Sequence, residues 1–138
     1  MEDSLSLLIV DDDRDDRSLF IEAVKDFDAH IQCREVNNGE QALQILRDPS
    51  YILPDCIFLD LRMPRISGKA CLEEIKQDAR LKDIPIYIYT TSREVAESVE
   101  LKTLGALHFI SKPNNEEEVY FLIAAALEEV SLIKASRG

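Results

Sequence analysis

Residues 54–68 read Pro54-Asp55-Cys56-Ile57-Phe58-Leu59-Asp60-Leu61-Arg62-Met63-Pro64-Arg65-Ile66-Ser67-Gly68. An apolar run over 56–59 ends at one acid, Asp60, with turn residues on either side. A short apolar run bounded in this way is the pattern of a central strand covered on both faces. Pro64 cannot donate to a ladder, so the chain must leave the sheet just past Asp60. That puts a carboxylate at the carboxyl end of a buried strand, where open α/β sheets bind their ligands. Asp60 can also be read as a cap of the next helix, although the residues between Pro64 and Gly68 make that reading less natural.

Upstream, residues 5–10 form an apolar strand broken only by Ser6, and it runs into Asp11-Asp12-Asp13. Phe20, Ala23, Val24 and Phe27 then fall on one face of a helix. Residues 30–36 are interrupted by polar side chains, as in an edge strand. Asn37-Asn38-Gly39 turns the chain into a short helix carrying Ala42, Leu43, Ile45 and Leu46, which stops before Pro49. Downstream of Asp60 a third helix is expected from Gly68 to about Arg80, burying Leu72, Ile75 and Ala79. Pro85 opens a fourth strand over 86–90, rich in β-branched and aromatic residues. In the fourth helix, about 93–104, Val95, Val99, Leu101 and Leu104 form no clean stripe. A fifth strand over 106–111 ends at Lys112-Pro113. In the last helix Val119, Leu122, Ile123, Ala126, Leu127 and Val130 keep the 3.6-residue period. Strand-helix repeated five times predicts an α/β fold, a doubly wound five-stranded parallel sheet with right-handed crossovers and helices on both faces.

Composition bounds the function. A chain of 138 residues fits one domain with a real core. Its net charge of −11 argues against binding nucleic acid or an anionic membrane, which need clustered Lys and Arg. No apolar run approaches the ~20 residues of a membrane span, and the N-terminus does not read as a signal peptide. Cys33, Cys56 and Cys71 lack metal-ligand spacing and read as reduced core thiols of a cytoplasmic protein.

In a parallel sheet all strands end on one side. Here the ends carry Asp11 and Asp12, then Asp60, Thr90 and Lys112. Crowded carboxylates repel one another, and a hard divalent cation, Mg2+ above all, removes that penalty. A cation, a hydroxyl donor and an ammonium group would together neutralise a phosphoryl group on Asp60, and a carboxylate nucleophile forms an acyl phosphate by known chemistry. Taken singly each residue has an ordinary role. Asp11 to Asp13 can favour a helix N-terminus, Thr90 can be a strand residue, Thr91 or Ser92 an N-cap, and Lys112 a solvated turn charge. Their convergence on one edge is what argues for a site.

Four motifs, "LLIVDDD", "IFLDLRMPRISG", "IPIYIYTTS" and "FISKP", taken in order, resemble the response-regulator receiver domain, the phosphoacceptor module of two-component signalling. The resemblance covers essentially the whole chain, 1–138, as a single receiver domain without an output domain. It is closest in kind to small chemotaxis-regulator-like receivers, including those paired with phytochrome-type kinases. It implies the flavodoxin-like strand order 2-1-3-4-5 and assigns roles by position. Asp60 matches the phosphoacceptor, Asp12 the direct Mg2+ ligand and Asp11 its partner. Arg62 matches the position whose backbone carbonyl faces the metal. Thr90 matches the switch hydroxyl, Lys112 the lysine that pairs with the phosphoryl group, and Phe109 the aromatic switch position. Pro113 matches a proline often preceded by a cis bond. Asn114 departs from the usual large apolar residue and is expected to loosen the last helix; Asp13 has no metal role.

The resemblance implies a signalling phosphoacceptor rather than an enzyme acting on other substrates, though one that catalyses transfer to and loss from its own Asp60. Its partners would be a histidine kinase or phosphotransfer protein, and a target read through the fourth helix, fifth strand and fifth helix. No nucleic acid or membrane is expected, and the protein would be a monomer or a phosphorylation-modulated homodimer. The main alternative is a degenerate receiver that docks constitutively. An FMN site is disfavoured because three aspartates would repel its phosphate. A haloacid-dehalogenase-type phosphatase would want an acid where Arg62 stands, and no P-loop is present. Arg62, with Glu94 as its expected anion, and Ser92, each two residues past a site residue, are placed to obstruct or guide water on its way to Asp60.

Overall fold

The structure is a computed structural model and describes residues 4–137. Its elements are β1 (Ser6–Val10), α1 (Arg14–Phe27), β2 (Gln32–Val36), α2 (Gly39–Arg47), β3 (Cys56–Leu59), α3 (Gly68–Gln77), β4 (Ile86–Thr90), α4 (Val95–Thr103), β5 (His108–Ser111) and α5 (Glu116–Arg137). Every strand pairing is parallel and the sheet order is β2-β1-β3-β4-β5, as expected. The three inner strands are buried along nearly their whole length, so their side chains feed two separate cores by simple alternation. Leu8, Val10, Ile57, Leu59, Ile86 and Ile88 pack with Leu43, Leu46, Leu72, Ile75 and Leu101 on the side of α2, α3 and α4. Leu7, Ile9, Phe58, Tyr87 and Tyr89 pack with Phe20, Val24, Ile123, Leu127 and Val130 on the side of α1 and α5. The second core is aromatic: Phe58 stacks on Tyr87 at 4.9 Å and meets Phe20 edge-on at 4.7 Å.

Side-chain caps set most helix ends. Asp13, Asn38 and Ser67 accept the N–H of the third residue beyond, at the starts of α1, α2 and α3. Asn115 does the same for Glu118 and also donates its amide N–H to the Glu118 carboxylate at 2.6 Å. The start of α5 is therefore firmly capped, against the expectation drawn from Asn114. Asp28, Asp48 and Asp78 each accept the N–H two residues on, which turns the chain out of α1, α2 and α3. This is why α3 ends at Gln77 rather than near Arg80: the Asp78 turn exposes Ala79 and swings Leu81 into the core in its place. Leu122 is also more exposed than its period suggested, lying at the edge of the buried stripe of α5.

The fourth helix is shorter than expected and stands apart. Glu94 at its N-cap makes no side-chain cap bond, only Leu101 is buried, and Val95 and Val99 are 78% and 60% exposed. α2 has the same nine-residue length but a capped start and four buried residues. Little apolar burial and no cap leave α4 the element with least to lose on opening. Native-state hydrogen exchange should show the α4 amides exchanging roughly tenfold or more faster than those of α2. Equal protection of the two helices would contradict this reading.

The thiols of Cys33 and Cys71 are pushed up to about 12 by burial, and that of Cys56 well above its usual range. All three are unpaired and behave as core hydrophobes. Among the described residues no helix is long and apolar enough to cross a membrane.

Candidate functional site

Among the described residues the buried polar or charged side chains are Asp11, Asp60, Thr90, Ser92 and Lys112. All five lie at or just beyond the carboxyl ends of β1, β3, β4 and β5. The register explains the meeting. Asp11 N–H continues the ladder onto Val36 O, Asp60 N–H onto Val10 O and Lys112 N–H onto Thr90 O, so each residue leaves its strand at the same level.

Carboxylate oxygens of Asp11, Asp12 and Asp60 lie within 4.8 Å of one another, with Asp11 and Asp60 buried and Asp12 exposed. Local bonds fix their orientation: Asp11 Oδ1 accepts the Asp13 N–H at 2.9 Å, and Asp60 Oδ1 accepts the Leu61 N–H at 2.8 Å. Arg17 donates to the Asp11 carbonyl at 2.7 Å and to Glu35 at 3.0 Å, holding the loop after β1. Gly68 closes the loop after β3. A Cβ there would lie 2.1 Å from the Asp60 carbonyl oxygen and 2.7 Å from Leu61 Cα, so α3 can approach β3 only through glycine.

The Lys112 ammonium reaches back into this cluster. It donates to Asp11 at 2.7 Å, to Asp16 at 2.8 Å and, most weakly, to Asp60 at 3.5 Å, and it lies 5.7 Å from the centre of the Tyr89 ring. Burial opposes its charge most strongly, but the hydrogen bonds to Asp11 and Asp16 and the negative charges of Asp11 and Asp60 together outweigh it and hold Lys112 above the usual lysine range. Thr90 is wholly buried, and its hydroxyl oxygen accepts the Ser92 N–H at 3.4 Å, which leaves its O–H to donate elsewhere. Phe109 is half-buried against the core on the α4 side.

Of the residues expected at the site, Asp11, Asp12, Asp60 and Lys112 are brought together and Thr90 ends the strand between them. Arg62 lies outside the buried group. Its guanidinium stands 3.6 Å from Glu97, on the first turn of α4, and not beside Glu94 at the N-cap. One Glu97 carboxylate oxygen is buried with no hydrogen bond, so this pair is loose. The Lys112–Pro113 bond is trans, as are all the described peptide bonds.

Sequence reasoning placed Ser92 beside the site but missed Asp16 and Arg93 as parts of this constellation. Asp16 had a readable signal, since an Asp13 N-cap puts residue 16 on the first turn beside the strand ends. Arg93 had none: it donates to the Lys112 carbonyl at 3.0 Å across two loops, while Ser111 donates to the Ser92 carbonyl at 2.7 Å.

Burial pushes Asp11 up from 3.8 to about 6; the hydrogen bonds from Lys112 and Asp13 only partly oppose it, and the charge of Asp60 adds to the rise. Between these values the folded chain keeps a proton that the unfolded chain has released. Stability therefore falls as pH rises through that window. In the metal-free protein the melting temperature of Asp11→Asn should gain on that of wild type as pH is raised from about 4 to about 7. Parallel curves for the two proteins would show that Asp11 carries no such strain.

Residues 7–124 match the response regulator receiver domain family. Regulatory protein AtoC of Escherichia coli (strain K12) is 31% identical over 133 residues, which cover 95% of this chain and 27% of that protein. The phosphate regulon transcriptional regulatory protein PhoB of Pseudomonas aeruginosa is 31% identical over 122 residues, covering 88% of this chain and 51% of that protein. The chain thus spans between about a quarter and about half of these curated relatives. Among solved structures, the phosphorylated cyanobacterial phytochrome response regulator RcpA matches with a TM-score of 0.83 at 27% identity, covering 91% of this chain and 92% of that one. The Mn(2+)-bound form of response regulator Rcp1 matches with a TM-score of 0.81 at 26% identity, covering 88% and 90%. Receiver domains generally bind Mg2+ and switch by phosphorylation. With its sheet order, its three-carboxylate cluster and its family match over most of its length, the chain belongs to the response regulator receiver domain family of two-component systems.

Proposed function

We propose that this receiver takes a phosphoryl group onto Asp60 and signals through the altered surface. The observation that carries the reading is the buried Lys112 ammonium set among acids from β1, α1 and β3. An Asp60 carboxylate oxygen attacks the phosphorus of a donor such as a phosphohistidine. The donor's P–N bond breaks, the imidazole leaves with the electron pair, and an acyl phosphate remains on Asp60. Lys112 pairs with the new negative charge and the Thr90 O–H donates to a phosphoryl oxygen. Attack by water later returns Asp60 and inorganic phosphate.

The donor set of Asp11, Asp12 and Asp60 fits a hard divalent ion, for it is all oxygen, compact and partly open through Asp12. We assign Mg2+ to these three carboxylates, with the Arg62 backbone carbonyl as a further ligand; bound there it would neutralise the charge that builds on the phosphoryl oxygens. When Thr90 is drawn to the phosphoryl group, Phe109 moves inward and the α4, β5 and α5 face changes. On and beside these elements Val95, Val99, Leu107 and Leu122 are exposed apolar side chains, of a kind suited to a protein target. The phosphoryl donor is a histidine kinase or phosphotransfer protein.

Acetyl phosphate with Mg2+ should add one phosphoryl group by intact mass, lost in Asp60→Asn and in the presence of chelator. Equal modification of Asp60→Asn would move the acceptor elsewhere, and no modification of wild type would leave a constitutive docking module. Arg62 at the mouth of the site, loosely paired with Glu97, obstructs water on its way to the acyl phosphate. Arg62 is largely exposed and its 3.6 Å contact to Glu97 is long, so the pair is worth only ~0.2–1 kcal/mol, and Arg62→Ala should shorten the phosphoryl half-life a few-fold with little change in melting temperature. Equal half-lives would reduce Arg62 to a backbone ligand.

A further inference from the structure

The Lys112 ammonium has three hydrogens and three carboxylates around it. Its two short contacts, 2.7 and 2.8 Å, go to Asp11 and Asp16, and the contact to Asp60 is 3.5 Å. In this state the ammonium is held toward β1 and α1 and only brushes the phosphoacceptor candidate. The two short contacts differ in kind. Asp11 belongs to the three-carboxylate cluster, so a cation there shares its charge and weakens its grip on Lys112. Asp16 lies outside that cluster and keeps its full charge for Lys112. Its place is fixed by the fold: its backbone N–H donates to the Asp13 cap at 3.0 Å, and α1 is anchored below by Phe20, Ala23 and Val24. Charge-assisted bonds to a buried ammonium are strong, and a Lys112 that turns to a phosphoryl group on Asp60 must stretch or release this one.

We infer that Asp16 is a positioning residue for phosphotransfer: it parks the Lys112 ammonium in the resting protein and so opposes the phosphorylated arrangement. The inference rests on the reading of Asp60 as phosphoacceptor. Without the Asp16 carboxylate, pairing of Lys112 with a phosphoryl group no longer costs a contact, and the phosphorylated state is favoured. Asp15, one position earlier on the same turn, is an exposed acid with no ion pair among the described residues. It serves as the control for charge alone.

The test measures beryllofluoride binding, as a phosphoryl mimic, at saturating Mg2+ in wild type, Asp16→Asn, Asp16→Glu and Asp15→Asn. In parallel, the side-chain ammonium resonance of Lys112 is followed by NMR in the metal-free proteins. Asp16→Asn should bind beryllofluoride about three- to ten-fold more tightly, the scale of one partly exposed charge-assisted hydrogen bond. Asp16→Glu should return toward wild type, and Asp15→Asn should match it. The Lys112 resonance should shift or broaden in Asp16→Asn only. Unchanged or weaker binding in Asp16→Asn, or an equal gain in Asp15→Asn, overturns the inference. A wild-type protein that takes up no beryllofluoride instead overturns the Asp60 reading and with it this role for Asp16.

Discussion

The buried ammonium of Lys112 is the constraint on which the upper edge of this molecule depends. Taken out of water without partners, a lysine sheds its proton, and a cluster of carboxylates without a cation takes protons up. Here each group removes the other's penalty: the acids hold Lys112 in its charged form, and Lys112 opposes the rise that burial imposes on Asp11. Loss of Lys112 would leave buried acids without a cation, which costs far more than the pairing contributes by existing, whereas loss of one acid leaves Lys112 two others. The loops after β1, β3 and β5 and the first turn of α1 are thereby tied to one point, although they are far apart in the chain.

A second set of contacts connects that point to the weakest element of the fold. Arg93 holds the Lys112 carbonyl, Ser111 holds the Ser92 carbonyl, and Arg62 reaches α4 through Glu97. These contacts join the loops after β3, β4 and β5 to the start of α4. The other helices have side-chain caps and buried stripes, whereas α4 has neither. The two cores, one on each face of the sheet, stiffen the scaffold that gathers the charges, and α4 beside it has the fewest buried residues of the five helices.

The order of elements, the parallel sheet and the arrival of Asp11, Asp12, Asp60, Thr90 and Lys112 at one edge were legible because they rest on local rules. Period-2 and period-3.6 patterns are written within each segment, and a parallel sheet sends all its strand ends to one side. Strand positions were close for the same reason. Errors lay where side chains compete with the backbone: Asp78 diverts α3 two residues on, so Ala79 is exposed and Leu81 buried, and Asn115 rather than Asn114 governs the start of α5.

By itself, then, the sequence determined which residues arrive at the edge and from which strands. Only the tertiary structure decided which of them touch. That Lys112 prefers Asp11 and Asp16 to Asp60, that Arg62 meets Glu97 rather than Glu94, and that Arg93 ties one loop to another depend on distances between elements far apart in the chain. Such distances follow from sheet register and helix packing, and no spacing along the chain encodes them. The charge on each residue is a property of its side chain, but the partner that balances it is a property of the fold.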